Sequence, residues 1–134
     1  KSLHQIQLIH EALPEMNFEE VSTETSFFSS LKLKSPLFIS SMTAGHAKGQ
    51  SINLNLAKLS SQNQILMGVG SQRRELTDPQ AALEWKQIRK EAPQALFIGN
   101  IGLAQAVQTK TSDVQRLVDS LEAKALFVHL NGLQ

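Results

Sequence analysis

From Leu37 onward the chain repeats one motif: a short apolar run, then a segment of helical period. The runs are Leu37-Phe38-Ile39-Ser40-Ser41, Ile65-Leu66-Met67-Gly68-Val69, Ala95-Leu96-Phe97-Ile98-Gly99 and Ala125-Leu126-Phe127-Val128-His129. They recur about every 30 residues, the length of one βαβ unit. Each is continuous in apolar residues rather than alternating, the pattern of a strand covered on both faces. Between them, Ile52, Leu56 and Leu59 share a helical face, as do Leu83 and Ile88 with Trp85 beside them, and then Val114, Leu117, Val118 and Leu121. The alternation predicts a parallel sheet with connecting helices. Helix punctuation agrees: Asp78-Pro79 reads as an N-cap followed by a first-turn proline, Ser112 or Asp113 can cap the third helix, and Pro93 stops the second.

An open doubly wound sheet and a closed barrel share this alternation, and the strand ends separate them. Small or polar groups follow every run: Ser41-Met42-Thr43-Ala44-Gly45, Gly70-Ser71-Gln72-Arg73, Asn100-Ile101-Gly102 and His129-Leu130-Asn131. An open sheet gathers ligand groups at one switch point, whereas a barrel draws them from the end of every strand. The expected fold class is therefore α/β, the first half of a (β/α)8 TIM barrel with about four parallel strands. A complete barrel takes about 250 residues, and this chain has 134. The C-terminal half is expected to be absent, leaving open edges on the outer strands. Residues 37–134 form the four βα units in this reading. Residues 1–36 are an N-terminal leader, helical through Ile6, Leu8, Ile9 and Leu13 up to Pro14, then mixed around Phe27-Phe28.

Composition narrows the function classes. A hydrophobic content of 41% supports a packed core. The 13 basic and 12 acidic residues are spread along the sequence, for a net charge of +1, so no basic stripe points to nucleic acid. The lack of cysteine removes disulfides and thiolate metal sites. No apolar run approaches the roughly 18 to 20 residues that span a bilayer, and the start lacks a signal-peptide core. A cytoplasmic protein with no membrane partner is expected.

The strand ends carry the candidate chemistry. In Gly68-Val69-Gly70-Ser71-Gln72-Arg73, two glycines allow close approach of a ligand, and a hydroxyl and a guanidinium suit phosphate. A tight βα turn with a surface arginine is the plainer alternative. Arg73 stands where a dinucleotide fingerprint needs its third glycine. Ser41-Met42-Thr43-Ala44-Gly45-His46 sets a soft thioether beside a hydroxyl, a surface for a flat aromatic cofactor or simply a gap-filling methionine. His129 and Asn131, two apart at a strand end, project to one side, with Gln134 following. Lys1 and His4 share a face if helical, or form a solvated chain end. No ligand-spaced His, Asp and Glu cluster marks a complete metal site within the chain.

Taken together, these loops resemble the type 2 isopentenyl-diphosphate Δ-isomerases, flavin-dependent barrel enzymes of isoprenoid synthesis. Lys1-Ser2-Leu3-His4, His10-Glu11-Ala12-Leu13-Pro14-Glu15, Met42-Thr43-Ala44-Gly45, Gly70-Ser71-Gln72-Arg73, Asn100-Ile101-Gly102 and His129-Leu130-Asn131-Gly132-Leu133-Gln134 match the family's motifs in order. Two departures stand out: Ala44 replaces a glycine and Gly132 a proline. The resemblance implies that Ser41, Met42, Thr43, Ser71 and Asn100 bind FMN. It implies that Lys1, His4, Ser71, Gln72, Arg73 and Gln134 bind the diphosphate substrate, with His129, Asn131 and Gln134 in the catalytic group. It further implies interconversion of isopentenyl and dimethylallyl diphosphates, with reduced FMN handling the proton. Mg2+ bound through a Glu expected after Gln134, NADPH and a homo-oligomer also come with the resemblance. The isolated 134-residue piece is expected to be inactive. Other readings are an FMN-dependent hydroxy-acid oxidase-like barrel and a noncatalytic barrel fragment; the diphosphate-facing set argues against the oxidase.

Overall fold

The computed structural model describes residues 2–41, 46 and 48–131. A 3-10 turn at Ser2–Gln5 opens the chain and another spans Phe18–Glu20. The expected helix does not form between them. Ile6, Leu8, Ile9 and Leu13 lie exposed in irregular chain, where no packed surface supports a short helix that is marginal by itself. The mixed segment instead makes an antiparallel hairpin of β1 (Thr25–Phe27) and β2 (Leu31–Leu33). Phe28 and Ser29 reverse it with φ of 48° and 62°, the left-handed conformation that tight hairpins require.

The main sheet is parallel, its strands β3 (Phe38–Ile39), β4 (Leu66–Gly68), β5 (Leu96–Gly102) and β6 (Ala125–His129) side by side in chain order. The order never reverses, so the sheet has no switch point and follows barrel topology. The connections carry α1 (Gly49–Asn63), α2 (Pro79–Glu91), a single turn α3 (Leu103–Ala106) and α4 (Thr111–Leu121). On the helix side, Met67, Val69 and Phe97 pack with Ala57 of α1, Trp85 and Ile88 of α2, and Leu121 of α4. Among the described residues no helix is long and apolar enough to cross a membrane.

The opposite face is concave. Phe38 on β3 and Phe127 on β6 are three strand spacings apart, about 14 Å in a flat sheet. Their ring centroids nevertheless approach to 5.8 Å, edge to face. Only a sheet curling toward closure brings the rings of its outer strands together. The hairpin fills the bottom of this concavity: Leu33, Leu31 and Phe27 pack on Leu66, Leu96, Ile98 and Ala125. The segment read as a leader therefore covers the entry ends of the strands and leaves their exit ends open.

Three local expectations are corrected. Helix α1 buries Gly49, Asn53, Ala57 and Ser60, while Ile52 and Leu59 remain 44% exposed. Small residues let this helix approach closely, and Ser60 pins it, its Oγ donating to the Ile65 carbonyl at 2.7 Å and accepting from the Leu96 amide at 3.1 Å. In α2, Leu83 faces out and Ala81 joins Trp85 and Ile88 inside. Neither Ser112 nor Asp113 caps α4. The N-cap position falls on Lys110, and Asp113, inside the first turn, pairs with Arg116 at 3.1 Å. The Asp78 cap is present, accepting from the Gln80 amide at 2.9 Å ahead of Pro79, and α2 ends before Pro93.

Candidate functional site

Ser41 and Asn100 flank the exit end of β4. Ser41 follows β3 and abuts Gly68, where a Cβ would meet Ser41 Oγ at 2.2 Å and the Phe38 ring at 3.0 Å. The missing side chain of Gly68 is thus occupied by the protein's own atoms rather than held open for a ligand, a correction to the sequence reading. Asn100 lies within β5, which runs on to Gly102 instead of ending at Gly99. Its alternation with Ile98 places it on the concave face, and its Nδ2 donates to the Val69 carbonyl at 3.3 Å. Ser41 Oγ and Asn100 Oδ1 are buried and have no hydrogen-bond partner among the described residues. Two orphaned polar atoms beside one strand end carry a desolvation cost that a polar ligand edge would relieve.

The loop after β4 separates its side chains by role. Ser71 and Arg73 are exposed, and Arg73 forms no ion pair or hydrogen bond with a described side chain. Its neighbour Arg74 is committed. Its guanidinium binds Asp78 at 2.9 Å and both oxygens of Glu84 at 3.0 and 3.2 Å, and Glu84, then Asp78, raise its pKa. Of two adjacent cations, only Arg73 is available to an incoming anion. Gln72 is fully buried. Its Oε1 accepts from the Asn100 amide at 3.1 Å and its Nε2 donates to the Leu117 carbonyl of α4 at 3.3 Å. That geometry gives the Gln72 side chain no path to a substrate, although the sequence grouped it with Ser71 and Arg73.

His129 ends β6 opposite Gly102, and it and Asn131 are exposed. Alternation puts His129 on the concave face with Phe127. His4 is exposed in the first turn, and no described hydrogen bond or ion pair brings it to the strand ends. Lys1, Met42, Thr43 and Gln134 lie outside the described residues. Sequence reasoning missed Glu75, half-buried below this loop, with Oε2 buried and unpartnered among the described residues. Burial raises its pKa. Glu75, Glu84, His46, Asn53, Ser71 and Arg74 line a polar cavity of about 40 Å³, room for water but not for a flavin ring. Among the described residues no cluster of His, Cys, Asp and Glu could hold a metal ion.

No protein-family model matches the chain. Relatives do. It is 61% identical to isopentenyl-diphosphate delta-isomerase of Bdellovibrio bacteriovorus over 98% of its own length and 39% of the relative's. Against the protein of that name from Legionella pneumophila strain Corby, identity is 48% over 95% of this chain and 37% of the relative. Against the one from Archaeoglobus fulgidus it is 40% over 98% and 38%. The chain thus spans under two fifths of the length of the relatives it matches. Nearly every residue aligns at identities of 40 to 61%, so the chain is a homologue of a part of these isopentenyl-diphosphate delta-isomerases.

Proposed function

We propose that this chain supplies the amino-terminal half-barrel of an isomerase that interconverts isopentenyl and dimethylallyl diphosphates. The observation that carries this reading is the Arg73 guanidinium beside Ser71, unpaired among the described residues, on the strand end flanked by Ser41 Oγ and Asn100 Oδ1, which likewise have no partner among the described residues. A dianionic head group needs a fixed cation and hydroxyl donors, and a flat ring with polar edges needs buried partners on a concave face.

The residues present fit FMN in this respect. Ser41 Oγ and Asn100 Oδ1 would meet the polar edge of the ring, with Ser71 and, from the resemblance, Met42 and Thr43 as further contacts. When bound, reduced FMN would supply the proton chemistry that an unactivated alkene demands. The protein's own residues bind and orient. Arg73 and Ser71, with Lys1, His4 and Gln134 from the resemblance, hold the diphosphate, so that binding energy from the unreactive end positions the alkene. His129 and Asn131, exposed at the end of β6 on the far side of β5, would orient the reacting carbons. Mg2+ on the diphosphate, NADPH as reductant, homo-oligomerisation and a cytoplasmic setting belong to the same proposal.

The test is turnover. The whole protein that carries this chain, with reduced FMN and Mg2+, should convert isopentenyl diphosphate to an equilibrium mixture with dimethylallyl diphosphate and incorporate solvent deuterium. A folded, flavin-loaded protein that leaves both compounds unchanged would overturn the reading.

A further inference from the structure

We infer that Gln72 is a positioning residue, a side-chain clamp that ties the loop bearing Ser71 and Arg73 to Asn100 and thereby holds the cofactor face in shape. This rests on the proposed isomerase reading.

The ladder between β4 and β5 ends with Val69, whose amide donates to the Ile98 carbonyl at 3.0 Å. Beyond it Asn100 still presents a backbone N–H and C=O toward the place where β4 has stopped. Gln72 satisfies both. Its own amide donates to the Asn100 carbonyl at 2.8 Å, and its Oε1 accepts from the Asn100 amide at 3.1 Å. The side-chain carboxamide thus acts as the next strand residue, after the backbone has turned away to form the loop. The other end of the amide reaches the Leu117 carbonyl, so one buried group joins loop, strand and α4.

Gly99 makes room for it, since a Cβ there would lie 2.8 Å from Gln72 Oε1. A fully buried amide with both ends paired has one low-energy orientation. That orientation fixes the Asn100 backbone, and with it the Oδ1 that has no partner among the described residues.

The proposal separates two roles inside one motif, in which Ser71 and Arg73 touch ligand and Gln72 does not. The experiment uses the whole protein with Gln72→Met, which fills the same volume without polar atoms, and with Gly99→Ala, which leaves Gln72 intact but crowds Oε1. Three quantities are read: amide exchange at Asn100, the FMN dissociation constant, and KM for isopentenyl diphosphate at saturating FMN. We expect both variants, folded by circular dichroism, to lose protection at Asn100 and to bind FMN roughly tenfold more weakly, with KM shifted far less. Unchanged Asn100 protection in folded Gln72→Met would overturn the clamp. So would unchanged FMN affinity with a raised KM, which would make Gln72 a direct substrate contact. If the unmodified protein binds no FMN, the flavin reading fails, and the Asn100 amide alone then decides for or against the clamp.

Discussion

Adding one methyl group at Gly68 should move Ser41, and the size of the effect follows from the geometry. The new Cβ would stand 2.2 Å from Ser41 Oγ, 3.0 Å from the Phe38 ring and 3.2 Å from the Ser41 amide nitrogen. The ring and the amide need to yield by only a few tenths of an ångström. The hydroxyl must swing away by about 1 Å, which forces a change of rotamer in a packed site. Gly68→Ala should therefore cost about 1 to 3 kcal/mol, the usual range for overpacking. Ser41→Ala removes an oxygen that has no partner among the described residues, so it should be close to neutral in stability. In the double variant the worst contact is gone, and most of the cost of Gly68→Ala should disappear, a coupling of about 1 kcal/mol or more. Urea denaturation of the whole protein and its three variants measures this cycle. Strict additivity, within about 0.3 kcal/mol, would refute the claim that Gly68 exists to seat Ser41.

Arg89 should prove structural: its guanidinium donates to the carbonyls of Pro93, Ala95 and Leu121 and lies 4.5 Å over the Phe97 ring. Arg89→Met should lower stability by about 2 to 4 kcal/mol in denaturant titrations, and a loss below 0.5 kcal/mol would contradict that role. Glu75 should report through pH. Burial holds its folded pKa above the usual carboxylate range, against the opposing pull of its own amide, Trp85 and Arg74. The folded state then binds the proton more tightly than the unfolded one, so the charged form costs stability at neutral pH and the cost is recovered as pH falls through the folded pKa. Glu75→Gln should raise the melting temperature near pH 7, with an advantage that shrinks toward about pH 4; an advantage that grows on acidification would reverse the argument.

The strands were legible because a strand buried on both faces leaves a continuous apolar run, and β6 begins and ends on the residues of its run. At β3 only Phe38 and Ile39 of the run pair. Three features were not legible. The hairpin turns through Phe28 and Ser29 at positive φ, without the Gly or Asn that announces such a turn. In α1 Ile52 and Leu59 face away, Leu54 and Leu56 pack only at the margin of the core, and the closest approach falls to Gly49, Ala57 and Ser60, a choice set by how near the helix sits rather than by hydrophobicity. At the site, the motif named Ser71, Gln72 and Arg73 as a unit, but only the early end of β4 reveals that Gln72 points inward to complete a ladder. The sequence likewise held two adjacent arginines. What commits Arg74 is Glu84, ten residues beyond it on α2, while Arg73 stays exposed.

That contrast between Arg73 and Arg74 is the most direct test of the site. Isothermal titration of isopentenyl diphosphate into the flavin-loaded whole protein should show Arg73→Gln weakening binding about tenfold or more, with the melting temperature unchanged. Arg74→Gln should lower the melting temperature and leave the affinity nearly intact. A folded Arg73→Gln protein that binds the diphosphate as tightly as the parent would contradict the assignment of this strand end as the diphosphate site.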